Sequence, residues 1–178
     1  MTVPLSASRL HIPRIAWAAY AFAVAIVVLD QATKAYVLSA LSLREWGHVV
    51  VAPPLFNISY VENTGVSFGL FGGGSARWIL SLFSVVVAGA LAWWATTTHR
   101  RLLITAIGLV IGGALGNAID RIRFGYVVDF LDFSGTGVFP WVFNVADSAI
   151  TIGVVLLILD SVLSERKTAQ VGVANEKS

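Results

Sequence analysis

Six polar residues interrupt a strongly apolar stretch within about thirty positions: Asn117, Asp120, Asp129, Asp132, Asn144 and Asp147. A carboxylate close to hydrocarbon costs several kcal/mol unless something compensates it, so acids set into an apolar run are functional candidates by default. The chain has no cysteine, and its three histidines, His11, His48 and His99, lie far apart. Thiolate chemistry is therefore excluded, and the histidine spacing matches no metal site. The strongest remaining tool is a pair of carboxylates. Two aspartates sharing a site titrate as a unit: one stays ionised and acts as general base on a water, while the other keeps its proton and polarises a carbonyl. Spacing alone leaves open which two of the acids pair.

Apolar elements must position these residues. Of 178 residues, 57% are hydrophobic and only 12% charged, with a mean hydropathy of +0.80. A soluble domain carries charge on nearer a quarter of its residues, so this composition places the chain in a membrane. A net charge of +2 is too mild to imply a nucleic-acid partner. Four stretches, about 15–38, 78–95, 102–119 and 141–163, approach the ~20 residues that cross a bilayer. The first is preceded by Arg9 and Arg14, as in a cleavable signal peptide, but its apolar run flows into Asp30-Gln31-Ala32-Thr33-Lys34 before any cleavage-like site. It reads as a retained helix. The expected fold is an all-α integral membrane protein of four transmembrane helices with a small extracytoplasmic β element, in one domain over 1–178.

Basic residues set the expected orientation. Arg9 and Arg14, then Arg100 and Arg101, then Arg166 and Lys167 fall on one side of four alternating helices, which makes that side, both termini included, cytoplasmic. Residues 1–14 and 164–178 are then cytoplasmic tails. The connection 39–77 becomes an outer loop whose residues Phe56–Val61, after Pro53-Pro54 and before Gly72-Gly73-Gly74, read as a β element. At 1.5 Å per residue, Asn117 and Asp120 reach the outer rim of the third helix, Asn144 and Asp147 lie within about 10 Å of it, and Asp30 and Lys34 end the first helix at a similar depth. Asp129 sits in the connection between the third and fourth helices. Acids, amides and one base converge on one layer.

The segments DQATK (30–34), ENTGVSFGLF (62–71), GNAIDR (116–121), VVDF (127–130) and FNVADSAITIG (143–153) resemble, in order, the motif set of the lipoprotein signal peptidases, the bacterial type II signal peptidases. The resemblance covers roughly residues 15–163 and implies a four-helix membrane aspartyl endopeptidase. It implies that Asp129 and Asp147 form the catalytic dyad. It gives Asn144, Asn117, Asp120 and Arg121 supporting roles, matches Asp30 and Lys34 to the first-helix motif, and brings Asn63 and Gly65 near substrate. The family pattern often has two small residues before Phe68, where Val66-Ser67 stand here. Implied substrates are prolipoproteins bearing a diacylglyceryl group on the cysteine after the scissile bond, taken from the membrane lipid at the outer face of the bacterial inner membrane. No metal, nucleotide or prosthetic group is implied, and nothing requires more than a monomer.

Duller roles compete residue by residue. Asn144-x-x-Asp147 also fits a helix N-cap with an acid three residues on. Asp120–Arg121 fits a rim ion pair, and Asp30–Lys34 fits an i, i+4 pair. Asp132 rivals Asp129, but three residues along a strand puts the two on opposite faces. Asp160 reads as a solvated end charge, and Gly112, Gly113 and Gly116 as a close-packing face. For the whole protein, the alternatives are a small transporter or proton-coupled channel, which predicts acids near the midplane and an internal repeat, and a non-catalytic lipoprotein chaperone.

Overall fold

The computed structural model describes residues 12–65 and 74–176; Arg9, His11, Val66 and Ser67 lie outside them. Four long helices make the frame: α1 (Ala16–Ser39), α3 (Ser75–Ala95), α4 (Arg101–Phe124) and α5 (Val145–Glu176). All four are long and apolar enough to cross a membrane. A one-turn helix α2 (Leu43–Trp46) follows α1. Strands β1 (His48–Ala52), β2 (Phe56–Asn63), β3 (Val127–Asp132) and β4 (Val142–Phe143) form one antiparallel sheet in that order. Both connections at one end of the bundle thus join a single sheet. Trp17, Trp78, Trp93, Trp94 and Trp141 stay exposed near helix ends, as interfacial anchors do.

Helix α4 is the hub. Its apolar window is 72% buried, against 22, 17 and 22% for α1, α3 and α5, and it packs on all three. Glycine allows that approach. A Cβ on Gly116 would stand 2.7 Å from the Asp30 carboxylate, and one on Gly113 would collide with the Ala146 carbonyl oxygen. Backbones this close are typical of helices that associate through small residues. Gly113→Ala should therefore destabilise the protein by about 1–3 kcal/mol, the usual cost of overpacking. The check is a lowered thermal unfolding midpoint in detergent; an unchanged midpoint contradicts this packing.

Several boundaries differ from the sequence expectation. Helix α3 starts three residues earlier than position 78, and α4 runs on to Phe124, where Gly125 at φ +90° closes it. Trp141–Asn144 are not helical; Val142 and Phe143 pair with Asp132 and Leu131. Helix α5 continues to Glu176, through the segment expected to be a tail. Asp160 is not a solvated end charge. It is buried and ion-paired at 2.9 Å with Arg100, because the turn into α4 brings that guanidinium against α5.

Candidate active site

The site is built where α1, α4 and α5 meet the sheet. Asn144 begins α5 in a reciprocal cap: its Oδ1 accepts from Asp147 N at 2.9 Å, and Asp147 Oδ2 accepts from Asn144 N at 3.3 Å. This is capping-box geometry, so the structural reading of Asn144-x-x-Asp147 holds. It does not exhaust the residue. Asn144 Nδ2 also donates to Asp129 Oδ1 at 2.6 Å. One buried residue therefore binds both carboxylates, that of Asp129 through its side-chain amide and that of Asp147 through its backbone N–H.

Each carboxylate has further amide donors. Asn63, at the end of β2, gives Nδ2 to Asp129 Oδ2 at 2.9 Å, and Asn117 gives Nδ2 to Asp147 Oδ1 at 2.8 Å. The β2–β3 register, which sets Val61 opposite Asp129, brings Asn63 within reach. Burial, and then the neighbouring Asp147 charge, pushes the Asp129 carboxyl up to about 7, against the opposing hydrogen bonds from Asn63 and Asn144. Asp132 behaves oppositely. Hydrogen bonds from Ser134 and Ser59 hold its carboxyl below the ordinary range. Its partners face away from Asp147, as the strand alternation requires.

Beneath the pair lies an ion cluster. Lys34 Nζ sits 2.9 Å from Asp30 Oδ2 and 2.7 Å from Asp120 Oδ2, and all three are buried at 2, 0 and 0% exposure. Lys34 thus faces inward, into the contact between α1 and α4. Asp120 pairs with Lys34 across helices; no Asp120–Arg121 ion pair forms among the described residues, because the two side chains leave α4 in different directions. The cluster anchors the site's backbone: Asp30 Oδ1 accepts from Ala146 N at 3.0 Å, and Asp120 Oδ2 from Val128 N at 3.1 Å. Gln31, given no role by sequence reasoning, donates to Asp120 Oδ1 at 2.8 Å. Its place inside the DQATK segment was the only signal for it.

Cavities open on both carboxylates. One of about 510 Å³ is lined by Asn63, Gly65, Asp129 and Trp141. Another of about 240 Å³ is lined by Asp147, Phe139, Phe143 and Thr151. A third, about 280 Å³, runs between α3, α4 and α5, with Asn117, Arg121 and Ser84 among apolar side chains. Gly65, at φ +74° and with its N–H on Asn63 Oδ1 at 2.8 Å, lies against Arg121: a Cβ there would be 3.4 Å from Arg121 Nη2. Among the described residues no group of three His, Asp or Glu could hold a metal ion.

The predicted residues are therefore gathered in one place, with Asp132 outside it. The family model described as Signal peptidase (SPase) II matches residues 22–163. A lipoprotein signal peptidase of Caulobacter vibrioides is 48% identical over 158 residues, covering 88% of this chain and 93% of the relative. That of Shewanella loihica is 46% identical over 153 residues, covering 83% and 88%. A solved bacterial membrane enzyme superposes with a TM-score of 0.70 at 31% identity, covering 84% of this chain and 90% of its own. The chain belongs to the signal peptidase II family.

Proposed function

We propose that the protein is a bacterial inner-membrane aspartyl endopeptidase that removes signal peptides from diacylglyceryl-modified prolipoproteins, cutting before the lipidated cysteine. The single observation carrying the mechanism is Asn144, whose side chain binds Asp129 while capping Asp147. In this reading both termini are cytoplasmic and the sheet end of the bundle faces outward. A lipid-anchored substrate reaches the dyad sideways from the bilayer, with its scissile bond at the depth of the sheet.

Asp129 is almost fully buried, whereas Asp147 is half-buried; desolvation disfavours charge most at Asp129. Asp129 accordingly holds the proton and Asp147 serves as base. Asp147 takes a proton from a water whose oxygen attacks the scissile carbonyl carbon, while Asp129 gives its proton to the carbonyl oxygen. As the tetrahedral diol collapses, one of its hydroxyls returns a proton to Asp129, the C–N bond breaks, and the amine leaves with the proton held by Asp147. Asn63, Asn117 and Asn144 fix the carboxylates in advance, so little reorganisation accompanies the reaction. Arg121 and Gly65 border the substrate at the mouth.

A purified sample should cut a prolipoprotein carrying the diacylglyceryl group and leave the unmodified precursor intact. With Asp129 required in its acid form, kcat/KM should fall as pH rises through about 7. Equal cleavage of both precursors refutes the lipid requirement; activity flat from pH 6 to 9 refutes the role given to Asp129.

A further inference from the structure

A groove lies between α1 and α3, on α4, with no residue of the dyad or its amide donors in its lining. It has a volume of about 400 Å³ and only aliphatic walls, among them Val27 and Val28 of α1, Val85 of α3, and Ile119 and Ile122 of α4. Its end nearest the sheet is polar, and helix periodicity shows why. Gln31 follows Val27 by four residues and Val28 by three, and Arg123 follows Ile119 by four, so both stand one turn beyond the groove on the faces that line it. They meet there: Arg123 Nη1 donates to Gln31 Oε1 at 3.0 Å, and the guanidinium lies 4.8 Å from the Phe124 ring. Trp78, seven residues before Val85 and so two turns toward the same end, is 53% exposed with Arg77 over its ring at 5.0 Å.

An aliphatic groove at membrane depth offers an occupant no hydrogen bond, so hydrocarbon must fill it. The occupant's head then meets an exposed arginine close to the end of α4. That guanidinium has five N–H donors, one of them given to Gln31, and arginine suits phosphate. We propose that this groove is a binding site for a membrane glycerophospholipid, one acyl chain lying along α1 and α4 and the phosphate on Arg123. Such a site is separate from the cavities around Asp129 and Asp147, and its occupancy does not depend on proteolysis.

The test is the unfolding midpoint of the purified protein in neutral detergent, titrated with dioleoylphosphatidylglycerol or with dioleoylglycerol, which has the same chains and no phosphate. Phosphatidylglycerol should raise the midpoint saturably, as a ligand of the folded state does, and dioleoylglycerol should not. Arg123→Gln should weaken half-saturation roughly tenfold, the scale of a lost charge-assisted hydrogen bond. Val28→Trp should abolish the saturable shift by filling the groove from a side chain that is 61% exposed and so needs no core space. Each variant is compared with its own lipid-free midpoint, so a change in baseline does not confuse the result. An equal response to both lipids, or a wild-type response in both variants, overturns the site.

Discussion

Asp147→Asn and Asp129→Asn should each reduce cleavage of a lipid-modified prolipoprotein by about three decades or more, because members of one catalytic unit fail together rather than additively. The double variant should be little worse than either single one. Asparagine keeps the shape and most of the hydrogen-bonding surface of each aspartate, so folding should survive. At 147 its single oxygen can accept from either Asn117 Nδ2 or Asn144 N, which reach Asp147 Oδ1 and Oδ2 at 2.8 and 3.3 Å, and its NH2 faces the other donor. At 129 it must place its own NH2 against Asn63 or Asn144, which costs some stability but leaves the strand pairing intact. Asp132→Asn is the control, since its carboxylate is bound to Ser59 and Ser134; it should retain activity within a few fold. If Asp132→Asn is the inactive variant and Asp129→Asn cleaves normally, the dyad is misassigned.

Lys34→Met should have the largest effect on stability, about 3–5 kcal/mol, the scale for removing one partner of a buried ion pair. The methionine fills similar space, so the loss is electrostatic. It leaves Asp30 and Asp120 facing one another, each fully buried, with no cation between them. Both carboxylates also hold backbone groups of the site, at Ala146 N and Val128 N, so activity should fall with stability. Adding Asp120→Asn to Lys34→Met removes one orphaned charge and should restore part of the lost midpoint in detergent. No loss of midpoint in Lys34→Met, or no recovery in the double variant, contradicts the cluster as described.

Much of this was legible because the membrane environment simplifies the sequence. Long apolar runs mark the helices, and within them any charge stands out: Asp30, Lys34, Asp120 and Asp147 could be set at a common depth by counting 1.5 Å per residue. Strand alternation separates Asp129 from Asp132, and the glycines of α4 mark a close helix contact. Counting fixes height along an axis, but it says nothing about rotation around it. For that reason the sequence leaves an Asp120–Arg121 ion pair open as an alternative, whereas Asp120 turns to Lys34 on another helix. Asp160 was likewise placed in solvent, when it meets Arg100 across a turn.

The order of polar residues, their depth and the chemistry open to them were determined by the sequence itself, since hydrophobicity and helical rise are local properties. Pairing was decided only by the tertiary structure. It required the close contact of α4 with α1 at Gly116 and with α5 at Gly113, and the β2–β3 register that carries Asn63 to Asp129. It also required Asn144, at the junction of β4 and α5, to reach both carboxylates, one with its side chain and one with its backbone N–H. Those relations join residues as far apart as Asp30 and Ala146. They depend on how whole helices rotate and approach, which no local pattern encodes.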